Sequence, residues 1–161
     1  MVRAFLVMKK LLIFTAIILT FTFLQNVAAQ TNYKTYSNAR YSFSISYPSN
    51  LLTPQGEADN GDGQIFSGDG AEMRVFGSNM LLNETLLKEF NAVVKEHGAG
   101  VSYKTYRKNF FVVSALNDGK IFYQKTIAKP NGSFVTFMIE YDESKRGIYD
   151  KAVSRMVNSF K

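Results

Sequence analysis

The sequence has no cysteine, no tryptophan, one histidine and three prolines in 161 residues. Without cysteine there is no disulfide, no thiol nucleophile, no lipid-bearing cysteine and no thiolate zinc site. The lone histidine, His97, excludes a two-histidine metal site and leaves a single imidazole base for the whole chain. A Gly-x-Ser-x-Gly elbow, a P-loop, a Gly-x-Gly-x-x-Gly turn and His-Glu-x-x-His are all missing, so the usual hydrolase, nucleotide and zinc-protease motifs have no anchor. Acidic side chains are the minority, 13 against 19 Lys and Arg, for a net charge of +6.

What the sequence does have begins at its N-terminal end. Lys9 and Lys10 precede an apolar run from Leu11 to Leu24, broken only by Thr15, Thr20 and Thr22, and Val27-Ala28-Ala29 follows. That order is the basic, apolar and small-residue sequence of a secretory signal peptide, whose apolar stretch is ~7–15 residues, against the ~20 needed to span a bilayer. The reading predicts a signal over residues 1–29, cleavage between Ala29 and Gln30, and a secreted or periplasmic product with no membrane span. Arg3, Lys9 and Lys10 lie in the signal with no acid to offset them, so half of the excess positive charge leaves with it.

Residues 30–40 are polar and read as a short leader or edge segment; residues 41–161 then make one domain of ordinary size. Tyr41-Ser-Phe43-Ser-Ile45-Ser-Tyr47 alternates with period two, the pattern of a half-buried strand, and Pro48 stops it. A loop is expected from Ser49 to Gly63. Short strands near Gln64–Ser67 and Ala71–Gly77 flank Gly68-Asp69-Gly70 as a hairpin. The period changes to three and four at Leu86, Leu87, Phe90, Val93, Val94 and His97, with Asn83 in an N-cap position and Gly98 at the far end, which predicts a helix over about Glu84–His97. Strands follow at Val101–Arg107, Phe110–Leu116, Lys120–Ala128 and Ser133–Tyr141, the last three joined by Asn117-Asp118-Gly119 and Pro130-Asn131-Gly132 turns, so these four should form a meander. Phe110–Val113 and Phe134–Ile139 are apolar on both faces, and both sides of the sheet therefore need a cover. Ile148, Ala152, Val153, Met156, Val157 and Phe160 supply one, as the apolar stripe of a closing helix. The expected fold is α+β, an antiparallel β-sheet sandwiched by helices.

The opening Tyr41–Pro48 strand, the central helix, the aromatic meander and the closing Met156-Val157-Asn158-Ser159-Phe160 resemble the PsbP-like fold family, over roughly Tyr41–Phe160. The family includes uncharacterised exported bacterial proteins. The resemblance implies an α-β-α sandwich and a non-catalytic role in binding or assembly, with a protein or envelope partner. It transfers no catalytic or cofactor residue.

The remaining chemistry lies in two charged segments. Glu57, Asp59, Asp62, Asp69 and Glu72 gather without an intervening base, and Asp59, Asp62 and Asp69 are the oxygen ligands a calcium ion would use; the spacing fails the EF-hand template, which favours a solvated turn and no cofactor. Lys104, Arg107 and Lys108 lie beside Tyr103 and Tyr106 in a half of the chain that is net basic. Interleaved cations and aromatics can bind nucleic acid, but export excludes that partner in favour of an anionic envelope surface, a glycan or a protein. His97, at the end of the helix, reads as structural. Two functions of different class follow: an exported binding or assembly module, and, as the alternative, a hydrolase using carboxylates of the Asp59–Glu72 region on an envelope or extracellular substrate.

Overall fold

The computed structural model describes residues 31–161; the expected signal segment, residues 1–29, and the expected cleavage between Ala29 and Gln30 lie outside the described residues. In chain order the elements are β1 (Tyr33–Asn38), β2 (Phe43–Pro48), β3 (Thr53–Glu57), β4 (Gly63–Gly68), β5 (Ala71–Asn79), α1 (Leu86–His97), β6 (Val101–Tyr106), β7 (Phe110–Asn117), β8 (Lys120–Ala128), β9 (Ser133–Asp142) and α2 (Arg146–Ser159). Seven strands form one antiparallel sheet in the order β3-β4-β5-β9-β8-β7-β6, with β6 to β9 as the meander, while β1 and β2 pair in a separate hairpin.

Successive residues of β8 and β9 feed opposite cores, which is why these strands are apolar on both faces. Phe122 and Phe134 point with Phe111, Val113 and Ala115 towards Leu86 and Val93 of α1. Ile121, Val135, Phe137, Ile139 and Tyr141 point the other way, towards Tyr149, Ala152, Val153 and Met156 of α2 and the Phe43 and Ile45 face of the hairpin. Residues 31–161 form one compact unit, and the core residues named above lie within it.

Four expectations need correction. Of the two readings of the polar 30–40 segment the edge strand holds and the leader does not: Tyr36 of β1 packs its ring 5.9 Å from both Phe43 and Phe66, so the domain starts before Tyr41. The Ser49–Gly63 loop contains β3, whose five residues are all exposed; Pro54 and a Gly56 at φ 101° sit where its register shifts, so it carries no hydrophobic alternation to read. The N-cap of α1 is Thr85, whose hydroxyl accepts from the Lys88 N–H at 3.2 Å, while Asn83 adopts φ 67° in the preceding turn. In α2 it is Tyr149, not Ile148, that turns inward; Ile148 is half exposed.

Because neighbouring strands are antiparallel, the connections gather at two ends. One end holds the β4–β5 turn at Asp69-Gly70, the β7–β8 turn at Asp118-Gly119 and the exit from β9. The other holds the β3–β4, β6–β7 and β8–β9 turns and the loop from β5 into α1.

Candidate functional site

Helix α1 lies over β6 and β7 and reaches Phe122 of β8, but it leaves part of the same sheet face uncovered towards β4 and β5. The uncovered step is a groove of about 520 Å³, floored by Phe122, Gln124 and Met138 and walled by Glu96 and His97 of α1. Glu72 and Arg74 of β5 stand opposite, and Lys120 and Glu140 close the end. The register places these side chains together: Glu72 faces Glu140, Arg74 faces Met138 and Phe122 faces Glu140 across the ladder.

The rim charges are engaged in pairs. The Arg74 Nε donates to Glu72 at 2.7 Å. Lys120 reaches Asp142 at 3.2 Å and Glu140 at 3.7 Å, and its hydrogen bond to Asp142 pushes its pKa up. Beneath the rim, Gln124 donates to the Thr126 hydroxyl at 2.9 Å, which shares a 3.0 Å hydrogen bond with Thr136, and all three are buried. A satisfied polar ladder at that depth holds the floor in one arrangement. Reading by periodicity missed it, because polar residues on alternate positions of β8 look like the outside of a one-sided strand.

His97 belongs to this wall. Its ring stacks on Phe122 with centroids 3.9 Å apart and planes 28° from parallel, and its backbone carbonyl accepts from the Asn117 side chain at 3.2 Å. Stacking, rather than a hydroxyl or a carboxylate, fixes the imidazole.

The acidic residues are not brought together. Asp59 and Asp62 occupy the β3–β4 turn, where Asp62 accepts from the Asn60 amide at 2.7 Å, whereas Asp69 sits at the opposite end of β4 and pairs with Lys145. The six residues of β4 lie between them, roughly 20 Å at strand rise. Glu57 is used inside the fold: its carboxylate accepts from the Tyr36 hydroxyl at 2.7 Å and the Asn38 amide at 2.9 Å. Among the described residues no group of three or more His, Cys, Asp or Glu is arranged to hold a metal ion.

The basic segment lies on the β6 edge and the β6–β7 turn. Lys104, Arg107 and Lys108 are all exposed. Tyr106 tilts against Phe90 of α1 at 5.5 Å, while Tyr103, on the other face, is 56% exposed, so only one of the two aromatics packs inward. Cations on an edge strand also discourage pairing with a foreign strand.

No family model and no curated protein matches the chain. Solved structures do. Cyanobacterial PsbP (CyanoP) from Synechocystis sp. PCC 6803 superposes with a TM-score of 0.58 at 12% identity, covering 84% of this chain and 95% of that one. The Ran-binding protein Mog1p of Saccharomyces cerevisiae gives 0.52 at 10% identity, covering 82% and 96%, and a point mutant of Mog1 gives 0.53 at 9%, covering 81% and 95%. At these identities the likeness is one of fold. The chain has the PsbP-like fold, an α+β antiparallel sheet with helices on both faces, as the sequence led us to expect.

Proposed function

We propose that the protein is an exported, non-catalytic binding or assembly module that takes a protein or envelope partner in the groove beside α1. The groove carries this reading. It offers an apolar floor at Phe122 and Met138, a rim of paired charges and a floor fixed by hydrogen bonds, which suits recognition of a surface more than attack on a bond. A fold neighbour described as a Ran-binding protein supports the use of this scaffold for protein contacts. The carboxylate-hydrolase reading has no such support, since its acids lie at two ends of β4.

Capture from an envelope extract, followed by titration with the recovered partner, tests it. Met138→Glu at the partly buried floor and Arg74→Glu on the exposed rim should weaken binding about tenfold or more when compared with the parent at matched folded fraction. Binding untouched by both variants would sink the groove. A substrate turnover that falls by roughly 10²–10⁴ in Glu72→Gln or His97→Gln would replace the module with an enzyme. Export is tested separately by the intact mass of the secreted product, which should begin at Gln30.

A further inference from the structure

Away from the groove, two leucines stand in solvent at the end of the sheet that carries the β8–β9 turn. Leu81 is 74% exposed and Leu82 94%, with Leu87 of the first turn of α1 at 48% beside them. The exposure is built in by an ordered turn. The Glu84 N–H donates to the Leu81 carbonyl at 3.0 Å, the Leu81 N–H donates to the Glu84 carboxylate at 2.8 Å, and Asn83 takes the left-handed conformation that closes the turn. Lys88 braces it through the Asn83 carbonyl at 2.7 Å.

The same end collects cations. The Met80 N–H donates to the Gly132 carbonyl at 2.9 Å, and the Ala128 N–H donates to the Asn109 carbonyl at 2.8 Å, so the leucine turn, the β8–β9 turn and the β6–β7 turn are joined in series. These connections carry Lys88, Lys129, Arg107 and Lys108, none of which makes an ion pair among the described residues. All five ion pairs lie instead at the opposite end, around Glu72, Lys120, Asp69 and Glu143. Of the acids at the leucine end, Glu84 is turned back onto the Leu81 N–H, Glu89 of the first turn of α1 is half-buried, and Glu57, Asp59 and Asp62 belong to the β3–β4 connection, which the Asp62 carbonyl ties to the Gly77 N–H at 2.8 Å.

We propose that this tip docks on an anionic lipid surface, Leu81 and Leu82 entering the acyl boundary while the exposed Lys88, Arg107 and Lys108 meet the headgroups; Lys129 is half-buried and held on the Ser42 carbonyl at 3.1 Å. Leucines on a convex turn ringed by unpaired cations complement a negatively charged bilayer. Protein interfaces concentrate their affinity in Trp, Tyr and Arg, and Leu is under-represented at such positions.

The test uses Thr31–Lys161, the unit that contains both cores, in sedimentation with vesicles of phosphatidylcholine alone or with one-third phosphatidylglycerol. The parent should bind the mixed vesicles at low salt, leave the neutral ones and be released by about 0.5 M salt. Leu81→Ser and Leu82→Ser should each lower partitioning about tenfold, and Arg107→Gln and Lys108→Gln about fivefold each. Both leucines are exposed, so unchanged melting will confirm that the variants fold. Leu82→Trp gives a chain with one tryptophan, whose emission should shift to the blue on the mixed vesicles. No binding to the anionic vesicles, equal binding to neutral ones, an unshifted tryptophan or full binding by the double serine variant would each overturn the proposal, as would capture of a protein at this tip without any lipid binding.

Discussion

Burial of four tyrosine hydroxyls and of Lys125 contributes to the alkaline pH dependence of this domain. Burial pushes Tyr36 and Tyr123 up to about 12, and Tyr141 and Tyr149 are raised in the same way. A phenol whose pKa is raised on folding contributes stability that is whole below ~10 and is lost as pH climbs through the folded value. Lys125 acts in the opposite sense: burial lowers its pKa, so the unfolded chain holds that proton longer and the lysine's contribution grows as pH rises towards ~10.4. Urea unfolding from pH 8 to 11 should therefore show stability falling above about pH 10, with a shallower fall in Tyr123→Phe; an identical slope in that variant would contradict the assignment. Lys125 also donates to the carbonyls of Val157 at 3.0 Å and Phe160 at 3.3 Å, closing the end of α2. Lys125→Met should cost ~1–3 kcal/mol at pH 7 through those charge-assisted bonds, as read from the denaturation midpoint. At Gly77 a Cβ would meet the Tyr41 ring, and Gly77→Ala should cost ~1–3 kcal/mol in the same assay by displacing it.

Elements were legible in the sequence in proportion to the amount of apolar surface each one buries. The alternating Phe43, Ile45 and Tyr47 set β2, the three-four spacing of Leu86, Phe90 and Val93 set α1, and turn triplets placed β7, β8 and β9 within a residue of their ends. β3 was illegible because it buries no side chain and is held by backbone pairing to β4 and the Glu57 hydrogen bonds to β1, and β1 because its two aromatics are three apart in a strand. The groove was equally hidden. Phe122, Arg74 and Glu140 come from three strands joined by sheet register and His97 from a helix that stacks on Phe122, and no local spacing announces such a set. Two substitutions test the elements themselves. Phe160→Ala should cost ~3–5 kcal/mol, since that ring is buried within 6.1 Å of Phe43 and 6.0 Å of Phe137, and it should speed hydrogen exchange at the Ser44 and Ser46 amides of the hairpin. Thr85→Ala should cost ~1 kcal/mol by removing the cap of α1.

At the scale of the whole molecule the two ends of the sheet differ in kind, one laced with ion pairs and the other carrying unpaired cations and bare leucines. Salt should therefore change binding far more than it changes stability, because exposed ion pairs are worth only ~0–1 kcal/mol. The hairpin raises a different matter, since its partner helix lies far from it in the sequence. The Ser46 N–H donates to the Ser159 hydroxyl across 113 residues of sequence, Ser44 exchanges backbone hydrogen bonds with Lys161, and Arg155 covers the Tyr33 ring at 3.8 Å. Contacts of such long range form late and slow folding. During synthesis β1 and β2 are made well before α2, the helix that packs on the Phe43 and Ile45 face of the hairpin. Until that helix is present, the aromatic face of the hairpin lacks part of its cover.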